Sequence, residues 1–408
     1  MKHLFLLILL VIPGLNISLF AQNNDADNLL YQILQKHPEF FKRINNSPDS
    51  FRVQIIYTQI NRNKKNKPSF KEFGYRLNDS EYFYPASTVK MPIALLALEK
   101  INELGIPGLT MNSIMITDSA SDSQDFVYNQ PNAMDGAPTI ANYIKQIFLV
   151  SDNDAFNRLY EFLGPDYIQQ KLKAKGYPDA IIRHRLQVSK TLEQQLRTNP
   201  VRFYDTAGNI IYEQPAQISK GKFAETNIAL GKGYMKSGNL VASPFSFLNK
   251  NRIYLQDLHH ILQSVIFPNI TKRKSRFRLT EQDYAFVKKY MQIYPGESDT
   301  PSYDTSYYYN TYCKFLLQGS ERKTLFPQVK IYNKVGDAYG FLLDVAYIVD
   351  EINQVEFMLS AVISCNTDGI FNDDKYEYDS LGFPFMRDLG IAVYNHELMR
   401  KGKLPIIK

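Results

Sequence analysis

The run Tyr84-Pro85-Ala86-Ser87-Thr88-Val89-Lys90 leads without a break into Met91-Pro92-Ile93-Ala94-Leu95-Leu96-Ala97-Leu98-Glu99-Lys100. The second half is an apolar helical run that Gly105 closes, so the pattern predicts a helix whose first turn carries Ser87. Pro92 lies early enough in such a helix to be tolerated. Ser87 and Lys90 then share one face. A serine hydroxyl is a poor nucleophile at neutral pH and needs a base beside it. A lysine one turn on supplies that base when burial and a neighbouring cation lower its pKa. The helix N-terminus adds N–H groups and a positive dipole end that favour the oxyanion of acyl attack. The triplet alone is unspecific. Ser-x-x-Lys recurs at Ser219/Lys222 and Ser320/Lys323, in polar stretches with no apolar helix behind them.

The chain has 408 residues, 44% hydrophobic and 22% charged, enough for one large domain or two modest ones. Its formal charge is +6, and part of the excess is local, in Lys272-Arg273-Lys274-Ser275-Arg276-Phe277-Arg278. That cluster reads either as a solvated face or as attraction to anionic envelope polymer. No nucleic-acid motif accompanies it, and no nucleic-acid partner is expected. Lys2 and His3 precede an apolar run over residues 4–20, and Ala21 leads into Gln22-Asn23-Asn24-Asp25. The pattern predicts a signal peptide over residues 1–21 and an exported, periplasmic or extracellular protein over 22–408. Pro13, Gly14 and Asn16 interrupt the run, so a stable membrane span is the weaker reading. Cys313 and Cys365 fit either a disulfide or two buried thiols. Six scattered histidines offer no ligand cluster, so no metal and no cofactor are expected.

Residues 29–44 show helical spacing around Pro38, which predicts a kinked helix. Residues 51–57 alternate and are β-rich, and 70–77 form a second strand beyond a basic turn. Residues 118–138 read as a long surface loop. Helices follow over 140–150, 155–163 and 167–175. Between 200 and 328 only 255–266 and 281–290 are amphipathic. Strands are predicted over 329–334, 341–349 and 355–365, and a closing helix over 379–400. The fold class is therefore α+β: a three-layer α/β/α arrangement, with one antiparallel sheet from both chain ends and an inserted helical region over about 166–328.

Ser87-x-x-Lys90, Ser151-Asp152-Asn153 and Lys334-Val335-Gly336 stand in that order. Together they resemble the motifs of the penicillin-recognising serine enzymes, most closely class A β-lactamases. The order of elements agrees over about 51–165 and 329–400. The resemblance implies a small-molecule β-lactam or D-alanyl peptide substrate and a role in resistance or wall metabolism. It implies Ser87 as acylated nucleophile, Lys90 as its base, and Ser151 as proton donor to the leaving nitrogen. Asn153 would bind the substrate amide and help hold Lys90. Lys334 would face the substrate carboxylate beside Gly336. The N–H groups of Ser87 and Asp337 would form the oxyanion hole. Asp152 would be structural, as a helix cap.

Two departures qualify this. Val335 stands where the family carries Ser or Thr, so the hydroxyl that binds a carboxylate is missing. Lys236-Ser237-Gly238 fits the triplet better by letters but sits in a loop-like stretch, so Lys334 is preferred. The family's deacylating glutamate lies in Glu-x-x-Leu-Asn; here Leu192-Glu193-Gln194-Gln195-Leu196-Arg197-Thr198-Asn199 displaces the Asn. Glu193 is either the base that activates the deacylating water or an exposed helix residue. The expectation is an exported serine hydrolase with slow deacylation. A D,D-peptidase or other serine acyl-hydrolase is the alternative enzyme, and a catalytically idle envelope-binding protein the alternative of another class.

Overall fold

The computed structural model describes residues 29–131, 136–225 and 227–406; the predicted signal peptide lies outside them. Its centre is a sheet of five strands: β1 (Gln54–Arg62), β2 (Pro68–Tyr75), β3 (Lys330–Ala338), β4 (Phe341–Asp350) and β5 (Val355–Ser364). They lie in the order β3-β4-β5-β1-β2, and every neighbouring pair is antiparallel. The two chain ends meet at β1 and β5, where Gln54 opposes Val362. Strand alternation divides the apolar residues between two cores. Ile55, Tyr57, Phe357, Leu359, Ala346 and Ile348 face one side. Ile56, Ile60, Met358, Val362, Leu343 and Val345 face the other.

The helices in chain order are α1 (Leu29–Lys36), α2 (Pro38–Asn46), α3 (Lys90–Leu104), α4 (Ile140–Leu149), α5 (Asn153–Leu163), α6 (Pro165–Lys175), α7 (Leu192–Gln195), α8 (Leu255–Ile266), α9 (Glu281–Gln292) and α10 (Phe383–Arg400). Residues of α1, α2 and α10 fill the first core. Residues of α3, α4, α5, α6, α8 and α9 fill the second. The result is the expected three-layer α+β architecture with a sheet built from both ends.

Three details differ from the sequence reading. The helix expected over 29–44 is two helices parted at His37, because Pro38 lacks an N–H and occupies the first turn of the second. The terminal helix starts at Phe383, after a wider π-type turn over Tyr378–Gly382. The inserted region is not wholly helical. Residues 197–246 run through eight short strands, among them the hairpin Val201–Tyr204 with Ile210–Gln214. Left-handed glycines at Gly208, Gly231 and Gly238 (φ 83°, 73° and 80°) turn the chain between them. Strands of two to five residues are too short for alternation to register. Cys313 and Cys365 are both buried free thiols. No helix among the described residues is long and apolar enough to cross a membrane.

Candidate active site

Ser87 sits one step before its helix, in the 3-10 turn Ala86–Val89; Lys90 opens α3. Ala86 adopts a left-handed φ of 47°, and the Thr88 amide and hydroxyl both donate to the Pro85 carbonyl, at 3.1 and 2.5 Å. This strained, pinned turn leaves Ser87 half-buried at a cleft, above a fully buried Lys90. The Lys90 Nζ lies 2.9 Å from Ser87 Oγ, 2.7 Å from Asn153 Oδ1 and 3.2 Å from Ser151 Oγ, and it donates to the Ser151 carbonyl. Burial pushes the Lys90 pKa well below the usual lysine value, and the charge of Lys334 adds to this against the opposing carboxylate of Asp152. A neutral amine has two N–H groups and one lone pair. The Ser151 carbonyl and Asn153 Oδ1 take the two N–H groups, which leaves the lone pair for the Ser87 hydroxyl proton.

Ser151 has a left-handed φ of 58°, which turns its carbonyl and its hydroxyl toward Lys90 together. Asp152 caps α5: its Oδ1 accepts from the Ala155 amide at 2.7 Å. Lys334, on edge strand β3 and only 2% exposed, donates to Ser151 Oγ at 2.8 Å and to the Val335 carbonyl at 2.9 Å. Burial pushes its pKa down to about 8, opposed by Cys313, Asp337 and Asp344. The Ser151 hydroxyl thus bridges two lysines. Gly336 brings strand and turn together. A Cβ there would stand 2.9 Å from the Ser87 amide nitrogen, 3.0 Å from that of Thr88 and 3.1 Å from the Pro85 carbonyl. Any side chain would drive β3 off the nucleophile's turn. Val335 points into the opposite core, among the residues that pack on α10, and faces no substrate.

The competing triplet is elsewhere. Lys236 is exposed in a hairpin, pairing with Asn239 across a turn whose central Ser237 and Gly238 have φ of 49° and 80°. Ser219 gives its hydroxyl to Asp166.

The cleft has a volume of about 610 Å³, and its wall includes Ser87, Asn153, Gln187, Asp337 and Asp374. Gln187 is a residue that sequence reasoning missed. It adopts a left-handed φ of 55°, and its Oε1 accepts from Asn153 Nδ2 at 2.6 Å. Its segment is fastened on both sides. Asn157 of α5 clamps Leu186 through the Leu186 amide and carbonyl, at 2.8 and 3.0 Å. Buried Arg185 pairs with buried Glu161 and donates to the carbonyls of Gln194, Gln195 and Arg197. No periodicity or triplet marks Gln187; only its neighbours' hydrogen bonds reveal it.

Glu193 is not brought into the cleft. Its side chain is 75% exposed, and it accepts from Arg197 at 2.6 Å. The physical reason lies in α7. Thr191 and Gln194 form a capping box there, and buried Gln195 binds the Arg185 amide at 2.8 Å. That contact, with the Tyr160 hydroxyl of α5 donating to the Gln195 carbonyl at 3.1 Å, anchors Gln195 inward and leaves Glu193 on the solvent side. Of the eight residues singled out from sequence, Ser87, Lys90, Ser151, Asn153, Lys334, Gly336 and Asp337 converge, and Glu193 does not. Among the described residues no group of three or more His, Cys, Asp or Glu could hold a metal ion.

A family model described as the beta-lactamase enzyme family matches residues 39–281. No curated protein sequence matches the chain. Among solved structures, an ancestral (GNCA) class A β-lactamase is 13% identical with a TM-score of 0.49, over 90% of this chain and 100% of its own. A β-lactamase from Sphaerobacter thermophilus is 11% identical with a TM-score of 0.48, over 90% and 97%. A structure titled PBP-A is 13% identical with a TM-score of 0.47, over 90% and 95%. The family match spans more than half of the 408 residues and runs through the turn of Ser87 and the Ser151 segment that meet at Lys90. The chain belongs to the β-lactamase enzyme family, within the penicillin-recognising serine enzymes.

Proposed function

We propose that the protein is an exported serine acyl-hydrolase that acylates Ser87 with a β-lactam or D-alanyl amide and releases the acyl group slowly. The observation that carries this reading is the placement of Lys90 Nζ 2.9 Å from Ser87 Oγ and in reach of the Ser151 carbonyl, Ser151 Oγ and Asn153 Oδ1; as a neutral amine with its N–H groups on the carbonyl and the Asn153 oxygen, it has a lone pair for the Ser87 proton. In acylation, Ser87 Oγ bonds to the carbonyl carbon while its proton passes to Lys90. The oxyanion rests on the amides of Ser87 and Asp337. As the tetrahedral intermediate collapses, the carbon–nitrogen bond breaks, and Ser151 gives its proton to the leaving nitrogen and is reprotonated from the lysine pair. Hydrolysis then needs a base holding water on the ester. Gln187 Oε1 accepts from Asn153 at the cleft, and Glu193, the base nominated from the sequence, is on the surface. With the nominated base turned to solvent, slow turnover follows in this reading.

Intact-mass measurement after mixing with benzylpenicillin tests the reading. The expected result is a long-lived adduct on the wild type and none on Ser87→Ala. Failure of several β-lactams and of a D-alanyl-D-alanine thioester analogue to label Ser87 would overturn it.

A further inference from the structure

The free volume of the cleft lies to one side of the nucleophile. Its wall includes Ser87, Asn153 and Asp337 but, among the described residues, neither Ser151 nor Lys334. Those two are joined at 2.8 Å and stand where the nitrogen leaves. A strand rises about 3.3 Å per residue, so the turn of Tyr339 and Gly340 that ends β3 is more than about 10 Å from Lys334. A carbonyl carbon held over Ser87, with its oxygen on the Asp337 amide, has its leaving nitrogen toward Lys334. Its acyl side chain then points toward that turn.

The turn side of the cleft is lined by Tyr84, Tyr339, Tyr376 and Tyr378. The last three rings are held by their hydroxyls. Tyr339 accepts from Lys250 Nζ at 2.8 Å, Tyr376 from the Asn372 amide at 2.8 Å and Tyr378 from the Gly340 amide at 2.9 Å. Tyr84 meets Tyr339 edge to face, with ring centroids 5.0 Å apart. Gly340 lets the 366–378 loop close on the strand turn: a Cβ there would stand 2.6 Å from Asn366 Cβ and 3.1 Å from the Tyr376 ring. The inserted region props the wall from behind. The rings of Phe245 and Phe247 lie 5.4 and 5.6 Å from that of Tyr339, and Phe371 stacks on Phe245 at 5.6 Å. Ile370 and Phe371 pair in parallel with Gly233 and Tyr234 of the insertion. Rings fixed in this way are preorganised for a flat apolar partner, which they meet edge to face or offset-stacked. The cleft's volume of about 610 Å³ leaves room for such a ring beyond the reacting amide. We infer that the tyrosine wall is the subsite for the acyl side chain and selects acyl donors whose side chain ends in an aromatic ring. This subsite rests on the acyl-enzyme reading and names the substrate class of the same site. It also gives the inserted region a role, as the buttress of the wall.

The test uses three penicillins that share the lactam, the carboxylate and the leaving nitrogen. Benzylpenicillin carries a phenylacetyl side chain, cyclohexylacetyl penicillin its saturated counterpart, and 6-aminopenicillanic acid no acyl side chain. Second-order rate constants for adduct formation are read by intact mass. Benzylpenicillin should acylate Ser87 about threefold or more faster than the saturated counterpart, the scale of a specific aromatic contact. In Tyr376→Leu and Tyr339→Leu that preference should shrink to about 1.5-fold or less, while the rate with 6-aminopenicillanic acid, which does not reach the wall, stays within about twofold of wild type. Equal rates for the two acylated penicillins on wild type would overturn the subsite while leaving acylation at Ser87 standing. An unchanged preference in both variants would overturn it as well. If both variants lose reaction with 6-aminopenicillanic acid, Phe245→Leu, behind the wall, decides: a reduced preference supports the subsite and an unchanged one overturns it. Adducts with none of the three on wild type would overturn the acyl-enzyme reading and the subsite with it.

Discussion

Lys334 carries a positive charge only while it keeps its proton, and burial has brought that proton's pKa down to about 8. Above that value Ser151 loses its charged donor, while Lys90 stays neutral through its burial. Acylation should therefore rise with pH as Lys90 deprotonates and fall again above about pH 8 as Lys334 does. The two lysines titrate as a coupled pair, so the limbs belong to both. Arginine stays charged throughout this range. Lys334→Arg should lower the rate but abolish the alkaline limb up to about pH 10, read from the pH profile of adduct formation. Glu193 makes the opposite case. Exposed and tied only to Arg197, it should be dispensable. The lifetime of the adduct in Glu193→Gln should stay within about twofold of wild type. A general base would lengthen it by about 10²-fold or more.

The segment that carries Gln187 is held by one ion pair between elements. Glu161 of α5 receives Arg185 and also accepts from the Asn199 amide at 2.7 Å, with Glu161 and Arg185 both 2% exposed at the side chain. Glu161→Ala would strand a buried guanidinium. The expected cost is about 3–5 kcal/mol, measured by urea unfolding, against about 1 kcal/mol for removal of the α5 cap in Asp152→Ala. This clamp was invisible in the sequence, whereas the elements that bear the nucleophile were plain. The reason is physical. Residues 90–104 and the three strands after residue 329 are long, so periodicity and turn residues declare them. Ser151-Asp152-Asn153 reads as a cap in letters because it is one in space. The clamp joins Glu161 to Arg185 through packing that no local pattern encodes. The same holds for the short strands of 197–246, whose pairing is set by hairpin turns and neighbours. Glu193 was nominated from a short local pattern, and the capping box of α7 decides its orientation.

At the scale of the whole molecule, Lys90, Lys100, Lys175, Lys314 and Lys334 are buried among the described residues. Burial pushes Lys100 down to about 7 and Lys314 and Lys334 down to about 8, each with its ammonium on carbonyl or amide oxygens, or on a hydroxyl. Between these values and the ordinary lysine pKa the unfolded chain binds more protons than the folded one, so stability rises with pH. Above about pH 10 the sign reverses, because buried tyrosines such as Tyr57 and Tyr84 hold protons that the unfolded chain releases. Thermal unfolding should show Tm increasing from about pH 7.5 to 9.5 and falling beyond, with a shallower rise in Lys100→Met. The seam between β1 and β5 has a different consequence, for how the protein is made. A ribosome delivers Gln54 long before Val362, so the edge of β1 that faces β5 waits unpaired for almost the whole of synthesis, while its other edge pairs with β2. Bridging so long a loop costs little more entropy than bridging a moderate one, but the search is slow. The catalytic turn shares that wait, since Gly336 and Lys334 arrive with the late strands. A message truncated before β3 therefore yields no partial enzyme. It yields a nucleophile without its strand and a β1 edge open to pairing with other chains.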